Sequence, residues 1–256
     1  MKELSVAERR QEILGRVSQA GRVAVIELSQ EFGVSEVTIR GDLQALADDN
    51  LIVRTHGGAI PATASLPVLS LGQRLQQQVQ QKAHIGAAAA RLVADGDAII
   101  LDSSSTALAI AGNLKAHRYV TVITNGLAVA QELLDAAGVT VVVIGGTVRK
   151  DTASIVSTGG LDMLRRFNIQ KGFFGAHGVS LAEGLTDVSA EEAEIKRPLV
   201  AMCRTVVAVF DATKWGRVGL ASFADISQVA HIITDTYAPA ELVARIRQAG
   251  VDVIQV

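Results

Sequence analysis

The chain has 256 residues, 49% of them hydrophobic, with 24 basic and 26 acidic side chains and a formal net charge of −2. That length and apolar content can bury a core large enough to divide into about two domains, and near-neutrality gives no argument of its own for a nucleic-acid or membrane partner. Cys203 is the only cysteine, so a single chain builds neither a disulfide nor a thiolate zinc site.

No apolar run reaches the roughly 18 residues of a membrane span. The opening "MKELSVAERRQ" is charged on both sides of a short apolar patch, so a cytoplasmic protein is expected. From Val6 to Ala20, Ile13, Leu14 and Val17 follow a helical period and leave Arg9, Arg10 and Arg16 for the wet side. A second short helix fits Val25, Leu28 and Phe32 and stops at Gly33, the residue type that most easily takes the left-handed position after a helix. Ser35 then reads as an N-cap, with Val34 spaced to staple onto Ile39.

Two helices joined by so short a turn, the second with Ile39, Leu43 and Leu46 on one stripe, form a helix-turn-helix pattern. The opposite face holds Val37, Thr38, Arg40, Gly41 and Gln44. These suit a groove of double-stranded DNA: Thr38 for phosphate or base, Arg40 for guanine or phosphate, Gln44 for adenine, Val37 for a thymine methyl. Gly41 costs about 1 kcal/mol relative to Ala inside a helix, which a close backbone approach to DNA would explain. "LIVRTHGGAIP", Leu51 to Pro61, reads as a β-hairpin wing turning at Gly57 and Gly58, with Arg54 and His56 toward a backbone or minor groove. The competing reading is a packing or dimerisation module. Residues 1–60 carry 7 basic and 9 acidic side chains, so DNA binding by this segment alone is expected to be weak and strongly salt-dependent.

The segments "RRQEIL", "VIELSQEFGVSEVTIRGDL" and "RTHGGA" together closely resemble the DNA-binding domain of DeoR-type bacterial transcription regulators. Many relatives carry arginine or another polar residue where this chain has Gly41. Residues 1–60 are accordingly expected to be a winged helix-turn-helix, and 61–81 a linker and the start of a connecting helix. That helix is expected from about Leu71 to Val93, with "QRLQQQVQQK" as its solvated face and Leu75, Val79 and Ala83 as its apolar spacing.

Over 82–256, short apolar runs alternate with helical patterns. "AIIL", "VTVIT", "VTVVVIG", "KGFFGA", "VVAVF" and "AHIIT" read as buried strands. Helices are expected near Ala107–Lys115, Leu127–Ala137, Leu161–Phe167, Ala190–Met202 and Pro239–Ala249. This alternation predicts an α/β fold with a mostly parallel sheet covered on both faces, and ligands of such sheets bind beyond the carboxyl ends of the strands. The first strand ends in "LDSSSTA". Ser103, Ser104, Ser105 and Thr106, with Thr106 opening a helix, read either as a phosphate cradle or as an ordinary N-cap. Later strands end in Thr124-Asn125-Gly126, in "GGTVR" from Gly145 through Gly146 to Arg149, in "GAHG" around His177, and in "FDATK" with Asp211 and Lys214. Small and polar residues at each strand end point to one shared pocket. Arg149 and Lys214 offer positive charge to it, and Asp102, Asn125 and Asp211 offer hydroxyl acceptors. Neither Gly-x-Gly-x-x-Gly nor a Walker A motif is present and the five histidines show no ligand spacing, so no cofactor or metal is expected.

This half resembles the DeoR-type effector domain, similar in fold to ribose-5-phosphate isomerase and glucosamine-6-phosphate deaminase, which the family uses to sense phosphorylated sugars. The resemblance implies Asp102, Ser103, Ser105 and Thr106 for phosphate, and Thr124, Asn125, Gly145, Gly146, Lys196, Asp211 and Lys214 around the sugar. Three residues depart from the pattern. Ser104 replaces a common glycine and would crowd the phosphate if positive φ were needed there. His177 stands where relatives often have aspartate, and Pro198 should kink or interrupt its helix. The implied protein is a repressor of a carbohydrate-catabolism operon, switched by a phosphorylated sugar and acting as a homodimer or tetramer to match two half-sites. The alternative is a sugar-phosphate isomerase or deaminase using Glu191, Glu192 or Glu194 as base, although glutamates on a helix usually form a solvated face.

Overall fold

The computed structural model describes residues 5–49, 51–55, 57–61 and 69–256. Contacts divide the chain into two units, residues 1–67 and 68–256.

In the first unit, α1 (Val6–Ala20) opens on a capping box in which Ser5 and Glu8 satisfy each other's backbone N–H groups. α2 (Val25–Phe32) ends at Gly33, which is left-handed with φ 65°. α3 (Glu36–Asp48) starts at once, the Ser35 hydroxyl accepting from the Thr38 N–H at 3.1 Å. Ile39, Leu43 and Leu46 of α3 meet Ile13, Val17 and Leu28 in one core, with Val34 packed against it. β1 (Val23–Ala24), β2 (Ile52–Thr55) and β3 (Gly58–Pro61) form an antiparallel sheet in the order β1-β3-β2.

Two expectations change here. The hairpin closes at the pair Thr55↔Gly58, so Gly58 lies in β3 and not in the turn. It is glycine because a Cβ there would stand 1.8 Å from the Val23 carbonyl oxygen of β1. Arg9 is not on the wet side but buried at 8% exposure, its Nε donating to Asp42 of α3 at 2.6 Å, and Arg10 donates to the same carboxylate at 2.9 Å. A carboxylate on α3 thus gathers two arginines of α1, a partner that helical periodicity alone does not reveal.

The second unit begins with α4 (Leu71–Leu75) and α5 (Val79–Ala90), where one continuous helix was expected. The break falls in the glutamine run. Gln78 is left-handed at φ 49°, and both Leu75 and Val79 are exposed rather than forming an apolar stripe. Beyond it stands a seven-stranded, fully parallel sheet of β4 (Ala98–Leu101), β5 (Val120–Thr124), β6 (Val139–Val143), β9 (Ile169–Phe174), β12 (Cys203–Val209), β14 (His231–Thr234) and β15 (Asp252–Gln255), in the order β15-β14-β12-β9-β4-β5-β6. Alternate residues feed opposite cores. Ile100, Phe174, Val206 and Ala208 face α8 (Ala190–Ala201) and α9 (Ala240–Gln248), whereas Ile99, Leu101, Phe173, Val207 and Val209 face α5, α6 (Ser105–Gly112) and α7 (Leu127–Glu132). Burial on both faces is why these strands are apolar runs without alternation. β6 and β15 are the exceptions, the two edge strands, each paired with one neighbour; β6 has no buried residue and β15 has one.

The hairpin β7 (Val148–Arg149) and β8 (Ser154–Ile155) and the antiparallel sheet β10 (Gly178–Ser180), β11 (Gly184–Asp187) and β13 (Ala221–Ala224) complete the unit. The helix expected at Leu161–Phe167 proves to be a 3₁₀ segment, Thr158–Arg166, with Phe167 as its extended C-cap, and α7 ends earlier than expected, at Glu132. α8 runs through Pro198 without interruption. The bond that proline removes would have reached the carbonyl of Glu194, an exposed residue whose oxygen water can satisfy.

Candidate functional sites

The exposed face of α3 carries Val37, Arg40, Gly41 and Gln44, with Thr38 half-buried beside them. In the free chain these groups are tied to neighbours. Arg40 pairs with Glu36 at 2.6 Å, Thr38 shares a hydrogen bond with Ser35 at 2.9 Å, and Gln44 donates to Asp48 at 2.7 Å while accepting from Arg54 of β2. The wing arginine therefore sits against the second half of α3. His56 lies outside the described residues. Arg16 pairs with Glu31, so Arg9, Arg10, Arg16 and Arg40 all have a carboxylate partner within the unit.

In the second unit the strand order reverses between β4 and β9, which makes their carboxyl ends the place where a crevice opens. The residues expected there do converge. Asp102, fully buried, accepts from the Ser104 N–H at 3.0 Å and the Gly175 N–H at 2.9 Å. Lys196 of α8 reaches Asp102 at 3.0 Å, Asp187 at 2.8 Å and the Gly175 carbonyl at 2.9 Å. Burial works against the Lys196 charge, but Asp102 and then Asp187 and Glu192 outweigh it and hold the ammonium above the ordinary lysine range. With its oxygens engaged by Ser104, Gly175 and Lys196, Asp102 ties the ends of β4 and β9 to α8 at the switch point. Lys196 likewise braces it.

Ser104 has φ −74° and ψ 154°, so no left-handed backbone is needed and the crowding expected from a side chain there does not arise; its hydroxyl caps α6 by accepting from Ala107. α6 accordingly starts at Ser105, one residue before the expected Thr106. The loop is squeezed from both sides by glycine. A Cβ on Gly126 would stand 2.9 Å from Ser103 Cα, and one on Gly175 would stand 2.4 Å from Ser104 Cβ.

Glu192 is buried, correcting the solvated reading, and accepts from Ser154 at 2.6 Å and Ser103 at 3.4 Å; Glu191 pairs with Arg149, and Glu194 is exposed. Arg149 is committed to Asp151, Glu191 and Ser189 and supplies no uncompensated charge. Thr124 accepts from the Gly126 N–H at 2.9 Å. Asn125 donates to the Ile155 carbonyl at 3.2 Å, and its buried Oδ1 has no hydrogen-bond partner among the described residues. Gly145 and Gly146 are exposed.

Asp211 caps a 3₁₀ turn by accepting from Thr213, beside half-buried Lys214, whose pKa burial lowers. Burial, and then Lys214, pull His177 down to about 4, so it is neutral near pH 7. Sequence reasoning missed Lys82 of α5, buried at 8% exposure and pulled down to about 8 by burial, with Asp211 opposing and Lys214 and Arg74 adding to the fall. A surface groove of about 470 Å³ between α6 and α7, lined by Leu108, Lys115, Glu132 and Asp135 among others, contains none of the strand-end residues.

Residues 9–64 match the DeoR-like helix-turn-helix domain and residues 77–236 the DeoR C terminal sensor domain. The chain belongs to the DeoR family of transcriptional regulators. It is 34% identical over 246 residues to the HTH-type transcriptional regulator GolR of Listeria innocua, covering 96% of this chain and 97% of that one. It is 31% identical over 232 residues to the glycerol-3-phosphate regulon repressor of Escherichia coli K12, covering 91% and 92%. Among solved structures, ribose 5-phosphate isomerase A of Methanocaldococcus jannaschii aligns with a TM-score of 0.41 at 16% identity, over 54% of this chain and 55% of that one. As a DeoR-family regulator the protein binds DNA through its first unit and senses through its second. No described helix is long and apolar enough to cross a membrane.

Proposed function

We propose that this regulator represses a carbohydrate-catabolism operon and that a phosphorylated sugar, bound at the carboxyl ends of β4, β5, β6, β9 and β12, changes its affinity for operator DNA. The α6 N-terminus beyond β4 and Lys214 beyond β12, at the same end of one parallel sheet, carry this reading. A helix start offers backbone donors to a phosphate, and a cation at the same end of the sheet adds to the attraction. The orphaned Asn125 Oδ1 supports it further, since a buried acceptor without a donor is costly and a sugar hydroxyl would supply one. In this reading Ser103, Ser105 and Thr106 face the phosphate, Thr124, Asn125, Gly145, Gly146 and Lys214 surround the sugar, and Asp102, Lys196 and Asp211 hold the site's shape. His177 takes the remaining wall. On the DNA side, Val37, Thr38, Arg40, Gly41 and Gln44 enter the major groove while Arg54 meets a phosphate, each first exchanging its internal partner for DNA. Two half-sites require a homodimer or tetramer. The binding part of the reading is tested by calorimetric titration of the full chain with a panel of sugar phosphates and their unphosphorylated forms. Saturable binding of one phosphorylated member and not of its parent sugar is expected; equal binding of both overturns the phosphate assignment.

A further inference from the structure

Lys82 is the buried cation that the reading above leaves without a role. It stands in the first turn of α5, and its Nζ donates to the carbonyl oxygens of Arg74 at 2.5 Å and Gln77 at 2.6 Å. Those are backbone acceptors at the end of α4 and in the joint that follows, so one side chain of α5 caps the helix before it. The joint needs holding, because Gln78 keeps a left-handed φ of 49° without being glycine. An ammonium has three donors, and two are used. No carboxylate among the described residues lies within ion-pair distance of Lys82. The groups that act on it from the elements around it are Asp211 and Lys214 after β12 and Arg74 of α4, two cations and one anion. Arg74 is itself under-satisfied: its Nε is buried without a hydrogen-bond partner, and Nη2 reaches only the Thr152 carbonyl, at 3.5 Å. Thr152 shares a hydrogen bond with Ser154 at 2.7 Å, and Ser154 donates to the same Glu192 that Ser103 contacts. The joint and the α6 loop therefore belong to one hydrogen-bonded set.

We propose that Lys82 contacts the bound effector's anionic group with its third donor, and that the same ammonium couples the occupied pocket to the α4–α5 joint. This rests on the reading of the strand ends as the effector site. An anion there supplies the counter-charge the buried cluster lacks, which tightens the cap on α4. Because α4 is the first helix of the second unit and follows the segment leading from the DNA-binding unit, a change in its order is placed where the two functions meet in the chain. Coupling of this kind needs only a different affinity for the two states of the joint.

The experiment uses the full chain, its Lys82→Met and Lys82→Arg variants, and the sugar-phosphate panel together with inorganic phosphate. Affinity is read by calorimetry, and the joint by hydrogen exchange of peptides spanning residues 70–82. In the wild type, the bound probe slows exchange across the joint. Lys82→Met keeps the apolar stem but binds the probe at least 10-fold more weakly, and at saturating probe it shows no slowing. Should Lys82→Met lose its thermal transition, Lys82→Arg carries the test: the charge is kept, so probe binding is retained, while the longer planar head moves the donors off the positions the ammonium holds on the Arg74 and Gln77 carbonyls and the slowing falls below that of the wild type. Wild-type affinity together with wild-type slowing in whichever variant folds overturns the inference and leaves the effector site standing. A wild-type chain that binds no probe overturns the effector reading and this inference with it.

Discussion

Removing the carboxylate of Asp42 should unfold the DNA-binding unit while leaving the sensor unit folded. Asp42 is 3% exposed, and it accepts from both Arg9, at 2.6 Å, and Arg10, at 2.9 Å. Asp42→Ala leaves Arg9, itself 8% exposed, as a buried cation without a counter-charge. Breaking one side of such a pair costs about 3–5 kcal/mol. A unit of roughly 60 residues has a total stability of only about 3–9 kcal/mol at 0.05–0.15 kcal/mol per residue. The loss is therefore comparable to the whole. Scanning calorimetry of the full chain should show the transition of the first unit displaced strongly downward or absent, with the second unchanged. DNA binding should vanish while sugar-phosphate binding persists. Replacing both partners, Arg9→Met with Asp42→Leu, should recover most of the stability, since the cost lies in the orphaned charge and not in the missing ion pair. If Asp42→Ala melts within about 1 kcal/mol of wild type, below even the cost of an ordinary lost hydrogen bond to a charged group, the pair is not buried as described and the reasoning fails.

Gly41→Ala should raise the stability of the first unit by about 1 kcal/mol, because a Cβ there meets nothing within 4 Å and alanine is the better helix former. Operator affinity should fall at least 10-fold in the same variant if α3 lies close against DNA. Increased melting temperature with unchanged affinity would remove Gly41 from the interface. His177 gives the chain an acid sensitivity with a definite sign. Its folded pKa of about 4 lies below its ordinary 6.5, so the folded state binds fewer protons between those values and stability is lost as pH falls through that window. His177→Gln should flatten the stability of the sensor unit between pH 6.5 and 4, and an unchanged pH profile would contradict the burial of the ring.

The helix-turn-helix and the central strands were legible because their signals are local. Gly33 and Ser35 punctuate α2 and α3, and the apolar runs of β4, β5, β9, β12 and β14 report burial on both faces of a parallel sheet. The small sheet of β10, β11 and β13 was not legible, since its strands span only three or four residues among Gly, Ser, Thr and Asp and draw their order from pairing and from contact with α8. The break between α4 and α5 was hidden for a related reason: Gln78 carries no turn signature, and the joint is held by Lys82, eight residues from the Arg74 carbonyl it caps. Charged residues were misread wherever their partner lies on another element. Arg9, Lys82 and Glu192 all looked like surface groups in the sequence, because helical periodicity assigns a charge to solvent by default. At the candidate site, the strand-end residues were singled out by the rule that locates ligands in parallel sheets. Their division into those that engage one another and those left open needed the geometry. Asp102 and Lys196 emerged as a brace, and Asn125 as an acceptor still waiting for a donor.

The central claim joins the two units: a phosphorylated sugar in the second changes DNA binding by the first. Fluorescence anisotropy of the full chain on labelled DNA from upstream of its own gene and of adjacent sugar-catabolism genes, with and without the sugar-phosphate panel, tests it most directly. A sequence-selective complex whose affinity one phosphorylated sugar shifts about 100-fold, a coupling of about 2.7 kcal/mol, is the predicted result, with no shift from the unphosphorylated sugar. A selective complex that no member of the panel alters would contradict the account.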